Sequence, residues 1–264
     1  MKSFHGCTAL ITGASSGIGR EIARQLAPQA RELILVARRM DRLEELRKEL
    51  ARPGLSVQCH SVDVANEQDL AAFLQKVQAF ETPVDFLINN AGVGDHGFFE
   101  KTEWSRVKAM LDINVQALTQ VTHALLPQLI RSGRGAVLNV SSIASLLPIP
   151  KMSVYAATKA YVTSFSEGIR AELRGTGVSV TALCPGPVDT EFFHIAERPD
   201  ATESAPAPEF FKVPVEQVAR EALDAVLRDK ARIIPGWQVW LIMSIATLVP
   251  IAIVRLFLSE RRKD

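Results

Sequence analysis

Short apolar runs of strand length alternate with amphipathic stretches along most of the chain, and this alternation restricts the fold more than any other feature. Cys7–Thr12 is apolar and ends at Gly13, after which Gly17–Ala27 reads as a helix. Leu33–Ala37 is aliphatic, hence a buried strand. Asp41–Ala51 sets leucines at 43, 46 and 50 on one helical face, with Asp41 and Glu44 at capping-box spacing, so Asp41 is read as that helix's cap. Leu55–Val62 is a third strand, Glu67–Phe80 a helix and Val84–Asn89 a fourth strand. Helices are predicted over 103–130 and 153–173, with strands at Ala136–Val140 and Val178–Leu183. Near-continuous apolar strands need cover on both faces, which argues for a parallel sheet between two helical layers. Right-handed crossovers then give a doubly wound α/β fold in one domain, with its binding crevice at the C-terminal strand ends.

Composition removes several function classes. A chain of 264 residues, 47% hydrophobic and 22% charged, buries enough surface to need neither disulfide nor metal. A net charge of +1 with no basic stripe excludes a nucleic-acid partner. Cys7, Cys59 and Cys184 are far apart and odd in number, which points to a reducing compartment. The five histidines never fall at helical metal-pair spacing, so no metal is expected. Met1–Gly6 is too short and polar for a secretory signal, and the expected location is cytoplasmic, with membrane association open.

Two segments depart from the alternation. Residues 187–214 carry Pro187, Pro199, Pro206, Pro208 and Pro214 with Phe192, Phe193, Phe210 and Phe211, as expected of a mobile substrate lid. Residues 1–234 are read as one dinucleotide-binding and catalytic domain that includes this lid, and 235–264 as an apolar C-terminal segment. Ile233–Val254 has no charged residue and is flanked by Arg228, Lys230, Arg232 and Arg255. Pro235-Gly236 and Pro250 interrupt it, so a buried or substrate-covering helix is preferred. An interfacial helix making peripheral membrane contact through 237–258 comes second and a membrane span last.

The chemistry lies in the turns after the strands. The first strand runs into Thr12-Gly13-Ala14-Ser15-Ser16-Gly17-Ile18-Gly19 and then a helix, where glycines allow close approach of a pyrophosphate to a helix N-terminus. An NAD site places an acid at the end of the second strand, but here the sequence reads Val36-Ala37-Arg38-Arg39. Arg38, supported by Arg39 or Arg20, suits forked hydrogen bonds to a 2′-phosphate, and NADP(H) is the expected cofactor. Asn89-Asn90-Ala91-Gly92 follows the fourth strand and Ser141-Ser142 the fifth. Tyr155 and Lys159 then stand at i and i+4 on one helix face, where an ammonium favours phenolate and lowers the tyrosine pKa toward the working range.

Taken in order, Thr12–Gly19, Asn89–Gly92, Asn114, Ser142, Tyr155/Lys159 and Pro185-Gly186 resemble the short-chain dehydrogenase/reductase family over 1–234. Ser142 stands thirteen residues before Tyr155, the family's spacing, and is preferred to Ser141. The resemblance implies a seven-stranded Rossmann-type sheet, a Ser142-Tyr155-Lys159-Asn114 tetrad and hydride transfer at nicotinamide C4. Tyr155 then exchanges the proton, Lys159 lowers its pKa and holds the nicotinamide ribose, Ser142 polarises the carbonyl, and the Asn114 backbone carbonyl holds a water. Asp63 and Val64 are implied at the adenine, Asn90, Ala91 and Gly92 at the adenine ribose, and Pro185, Gly186, Val188 and Thr190 at the carboxamide. A homodimer or homotetramer is implied as well.

Ile143, Leu146, Leu147, Ile149 and Val154, with Phe192 and Phe193, are expected to wall an apolar pocket. That wall suits a lipophilic ketone or secondary alcohol of 3-ketoacyl, sphingoid, steroid or retinoid-like type, handled by a carbonyl reductase or alcohol dehydrogenase. The alternative is a non-catalytic NADP-binding regulator, or a membrane-peripheral scaffold on the same fold.

Overall fold

The computed structural model describes residues 1–80, 82–196 and 209–258. Seven parallel strands form one sheet: β1 (Thr8–Thr12), β2 (Glu32–Ala37), β3 (Ser56–Ser61), β4 (Phe86–Asn89), β5 (Ala136–Val140), β6 (Ser179–Leu183) and β7 (Arg232–Ile233). Their order, β3-β2-β1-β4-β5-β6-β7, makes this a Rossmann-type doubly wound sheet. The order reverses between β1 and β4, which pair with Ala9 opposite Phe86 and Ile11 opposite Ile88.

Strand side chains alternate between two cores. Ala9, Ile11, Leu33, Leu35, Phe86 and Ile88 enter one, packed with α1 (Gly17–Leu26) and α2 (Met40–Glu49). Leu10, Ile34, Val36 and Leu87 enter the other, beneath α3 (Glu67–Gln78). Trp104–Leu111 (α4) continues through a π-helical turn, Asp112–Ala117, into α5 (Leu118–Ser132) on this second face. Ser153–Glu172 (α6) also closes this second face through Ile169. Both faces are therefore covered, which is why the strands carry so few polar residues.

Three expectations change at this level. Met40, not Asp41, opens α2; Arg39 occupies the cap position, and no side chain caps the helix. Residues 103–130 form one helix only because a π turn absorbs the phase change at Asp112–Ala117. The lid region contains a short helix, α7 (Glu191–Ala196), and a 3₁₀ turn at Glu209–Phe211, whereas Arg198, Pro199, Pro206 and Pro208 lie outside the described residues.

After α8 (Val215–Leu227) and β7, the apolar tail forms two helices, α9 (Trp237–Ala246) and α10 (Ile251–Leu258), divided at Pro250. Val239 and Met243 of α9 join the first core, while Trp237 (70% exposed), Trp240 (54%) and Leu248 (83%) face outward. No described helix is long and apolar enough to cross a membrane.

Candidate active site

A cavity of about 420 Å³ opens at the C-terminal strand ends, beside the switch point. Gly13 begins its floor with a left-handed backbone at φ +67°, and a Cβ there would stand 2.8 Å from Asn90 Nδ2 and 2.9 Å from Ala91 Cα. Only glycine fits such a turn without strain. Asn90 ties the turn down, donating from Nδ2 to the carbonyls of Thr12 and Gly13, each at 3.0 Å. The Asn90 and Ala91 amides in turn donate to Thr12 Oγ1 at 3.0 and 3.1 Å. Ser15, Ser16, Gly17 and Ile18 line the cleft, whereas Gly19 lies behind it and leaves room for Asn90 Nδ2, which would be 2.4 Å from a Cβ at that position. Ser16 precedes α1 in extended conformation and no side chain caps the helix, so the turn matches the cradle a pyrophosphate requires.

Arg38 and Arg39 reach the same cleft from the end of β2. Arg38 is exposed and makes no ion pair among the described residues. Arg39 donates from Nη2 to Ser15 Oγ (3.1 Å) and Ser16 Oγ (3.0 Å), and from Nη1 to Glu191 at 2.8 Å. Arg20 takes no part here, because it pairs with Glu49 at 3.1 Å on α2. Asp63 and Val64 line the side after β3, with Asp63 Oδ1 accepting from the Ala65 amide. Ala91 and Gly92 line the side after β4, and Pro185, Gly186, Val188 and Thr190 the segment after β6.

The proton-handling groups meet at the other end. Tyr155 and Lys159 are buried on α6, one turn apart, with Lys159 Nζ 5.8 Å from the Tyr155 ring centroid. Lys159 donates to the Val140 carbonyl at the end of β5 at 2.9 Å. Ser142 follows that strand in extended conformation, accepts from the Ala144 amide and lines the cleft with Tyr155. Ser141 points away, its hydroxyl donating to Lys159 O (2.9 Å) and bonding Thr163 Oγ1 (2.7 Å). Asn114 is wholly buried in the π turn, behind the cleft. Its amide donates to Val93 O (2.9 Å) and Thr158 Oγ1 (3.0 Å) and accepts from the Val93 amide (3.0 Å). Gly92 lets Lys159 Nζ and Asn114 Oδ1 come together; a Cβ there would meet them at 3.2 and 3.3 Å.

The expected lowering of the tyrosine pKa is absent from this arrangement. Burial pushes the Tyr155 phenol up to about 12, and the Ser142 hydroxyl opposes this only in part. The same burial brings Lys159 down to about 8. A phenolate without water costs more than this lysine, drawn toward Val140, returns.

Of the expected apolar wall, Ile143, Ile149 and Phe192 line the cleft, and Ile113 and Met152 join them. Leu146 and Leu147 instead pack on the main core, and Val154 on a small cluster around Met110 and Ala156. Phe192 rests on Tyr155, ring centroids 5.5 Å apart, in space left by Gly94. The side chains of Phe193 and His194 lie outside the described residues. Sequence reasoning missed Glu191; nothing about an acid after Thr190 signals that it reaches Arg39.

A buried proton donor beside a dinucleotide cradle is the equipment of a nicotinamide-dependent oxidoreductase. Known proteins narrow that class: the short chain dehydrogenase model matches residues 7–200, and the chain belongs to that family. It is 32% identical over 246 residues to an uncharacterized oxidoreductase of Myxococcus xanthus, covering 92% of each chain. It is 42% identical over 187 residues to a sulfoacetaldehyde reductase of Chromohalobacter salexigens, covering 69% of this chain and 72% of the relative. Among solved structures, a short-chain dehydrogenase from Sphingobium yanoikuyae in complex with NADPH matches at TM-score 0.82 and 31% identity over 98% of each chain. A Burkholderia phymatum relative in complex with NAD gives TM-score 0.82 at 26% identity over 97% of each chain. The bulky-bulky ketone specific alcohol dehydrogenase of Comamonas testosteroni gives 0.78 at 27%, covering 98% of this chain and 96% of the other.

Proposed function

We propose that this chain is an NADPH-dependent carbonyl reductase acting on lipophilic ketones, with secondary alcohols as the reverse substrates. The observation that carries the reading is one cleft that holds Tyr155, Ser142 and Lys159 under an apolar wall and Arg38 and Arg39 at its far end. Ser15, Ser16, Gly17 and the first turn of α1 would hold the pyrophosphate, Asp63 the adenine, Arg38 the 2′-phosphate, and Lys159 with Thr190 the nicotinamide half. When bound, the reduced nicotinamide supplies hydride.

The chain's own residues do the rest. Tyr155, a phenol throughout the working pH range, donates its proton to the substrate oxygen. Ser142, in the same cleft, offers a second hydrogen bond to the same oxygen. Lys159, as ammonium, stabilises the phenolate left after transfer, and Asn114 braces the π turn beside it so that a backbone carbonyl can hold a relay water. Ile113, Ile149, Met152 and Phe192 exclude water from the carbonyl.

The Chromohalobacter relative's name favours a small, anionic aldehyde as the second reading. At the Tyr155 end, Lys159 is the only cation among the described lining residues, so a sulfonate lacks a dedicated partner there. A series of ketones of increasing chain length, assayed with NADPH, separates the two. Each methylene buried against the wall is worth about 0.8 kcal/mol, a rise of roughly fourfold in kcat/KM. A preference for sulfoacetaldehyde or other short polar carbonyls overturns the lipophilic reading.

The exposed apolar tail fits the same substrate class. Trp237, Trp240, Leu241, Ile245 and Leu248 face outward, Arg255 follows on α10, and no acid lies between them. An anionic bilayer surface is the partner that this face and charge suit. The tail adjoins the cleft directly, since Val239 of α9 comes within 3.4 Å of a Cβ placed on Gly186. Exposed Trp104 and Leu111 on α4 and Tyr161 on α6 fit assembly into a dimer or tetramer, which light scattering of the full chain tests.

A further inference from the structure

Glu191 opens α7 and plays no part in the proton chemistry, yet its carboxylate grips two arginines. One oxygen accepts from Arg39 Nη1 at 2.8 Å and the other from Arg42 Nη1. Arg39 turns its second terminal nitrogen to Ser15 and Ser16, which fixes the guanidinium above the glycine turn. Arg39, Ser15, Ser16 and Glu191 all line the cleft, while Arg42 anchors the acid from outside it. An anion of the chain's own therefore sits on a guanidinium beside the cradle. The arginines hold the Glu191 carboxyl down to about 2, so the anion persists at every working pH.

A phosphate monoester grips a guanidinium best through forked oxygens on its two terminal nitrogens, and with Arg39 Nη2 spent on Ser15 and Ser16 and Nη1 facing a carboxylate of like charge to the phosphate, Glu191 stands against that grip. We propose that Glu191 is a specificity-determining residue that competes with the 2′-phosphate of NADP(H) for Arg39. This rests on the NADP(H) reading above. A phosphorylated dinucleotide gains Arg39 only by displacing Glu191, whereas one with a free 2′-hydroxyl leaves the pair closed. Phe192 is the next residue on the same short helix and rests on Tyr155.

The test compares the full-length chain with Glu191→Gln, which keeps the shape and removes the charge at an exposed position. Calorimetric titrations with NADPH, NADH and adenosine 2′,5′-bisphosphate read binding without turnover, and thermal unfolding shows that both proteins are folded. If Glu191 holds Arg39 nine-tenths of the time, NADPH and the bisphosphate bind about tenfold tighter to the variant, with NADH unchanged within about twofold. Unchanged or weaker NADPH binding overturns the competition, as does equal tightening of NADH. A wild-type chain that binds both dinucleotides alike and ignores the bisphosphate overturns the NADP(H) reading and this inference together. A wild-type chain that prefers NADPH, with Glu191→Gln no different, overturns this inference alone.

Discussion

The strand ends that floor the cleft keep most of their polar groups in buried hydrogen-bond sets, with Asn89 Oδ1 left without a partner among the described residues, while the segments that roof it are held by exposed charges and outward apolar faces. In the floor, Asn89 Nδ2 bonds Thr122 and Asn139, Asn139 bonds Ser166, and Asn114 bonds Val93 and Thr158. Each of these bonds is costly to break once buried, which resists rearrangement of the floor. The roof is different: the Glu191 ion pairs are more than a third exposed, and Trp237 and Leu248 cover nothing in the described chain. Exposed ion pairs contribute little stability and yield to competitors. On the proposed function, the chemistry falls to the floor and admission to the roof, whose exposed ion pairs are the more easily displaced.

That contrast is open to attack in order of expected effect. Tyr155→Phe removes the proton donor and is expected to lower kcat by about 10²- to 10⁴-fold while NADPH affinity stays within about twofold. Near-normal turnover by stopped-flow absorbance would dismantle the floor's role. Arg38→Asp is expected to weaken NADPH by about 10- to 100-fold, with NADH little affected, since charge-assisted hydrogen bonds are at stake. Equal weakening of both would remove the 2′-phosphate assignment. Lys159 sits at about 8, below the ordinary lysine value, so its ammonium is present below that pH and lost as pH rises through it. Reduction is therefore expected to hold steady below about pH 8 and fall roughly tenfold per unit above it; a rate flat to pH 10 would show that the ammonium is not needed. Trp240→Glu, in the roof, is expected to shift stability by no more than about 0.5 kcal/mol. It should nevertheless abolish flotation with phosphatidylserine vesicles. Failure of the wild-type chain to float, with dimers that the variant loses, would assign the tail to a second copy instead.

The floor was also the more legible half. Strand residues such as Leu10, Ile34 and Leu87 are apolar because both faces of the sheet are covered, and that pattern is local enough to read from sequence. Ala136–Val140 has the bounds expected of it, closed by Gly135 before and Ser141-Ser142 after. The proposed catalytic and cofactor-binding residues reach one cleft except Gly19 and Asn114, which pack directly behind it, and Arg20, which pairs with Glu49 instead. What sequence hid were matters of direction and desolvation. Order along the chain placed Leu146, Leu147 and Val154 in the wall, but Leu146 and Leu147, just past the short turn after Ser142, pack on the first core, and Val154, on α6, packs in the small cluster around Met110 and Ala156. The i, i+4 rule brought Lys159 beside Tyr155, yet it says nothing of the burial that raises the phenol. Asp41 lost its cap role because α2 starts one residue earlier. The Arg39–Glu191 pair spans more than half the chain and has no local signature at all.

The π turn at Asp112–Ala117 has a consequence for what the chain can tolerate. A π turn carries one residue more than the α-helical turn it interrupts, so deleting one residue within Asp112–Ala117 would restore regular winding and leave the two flanks in phase. What would be lost is the bulge itself, which presents Asn114 to Val93 and Thr158. The extra residue thus serves one side chain: without it both halves of the helix could still pack on the sheet, but the brace beside Lys159 would be gone.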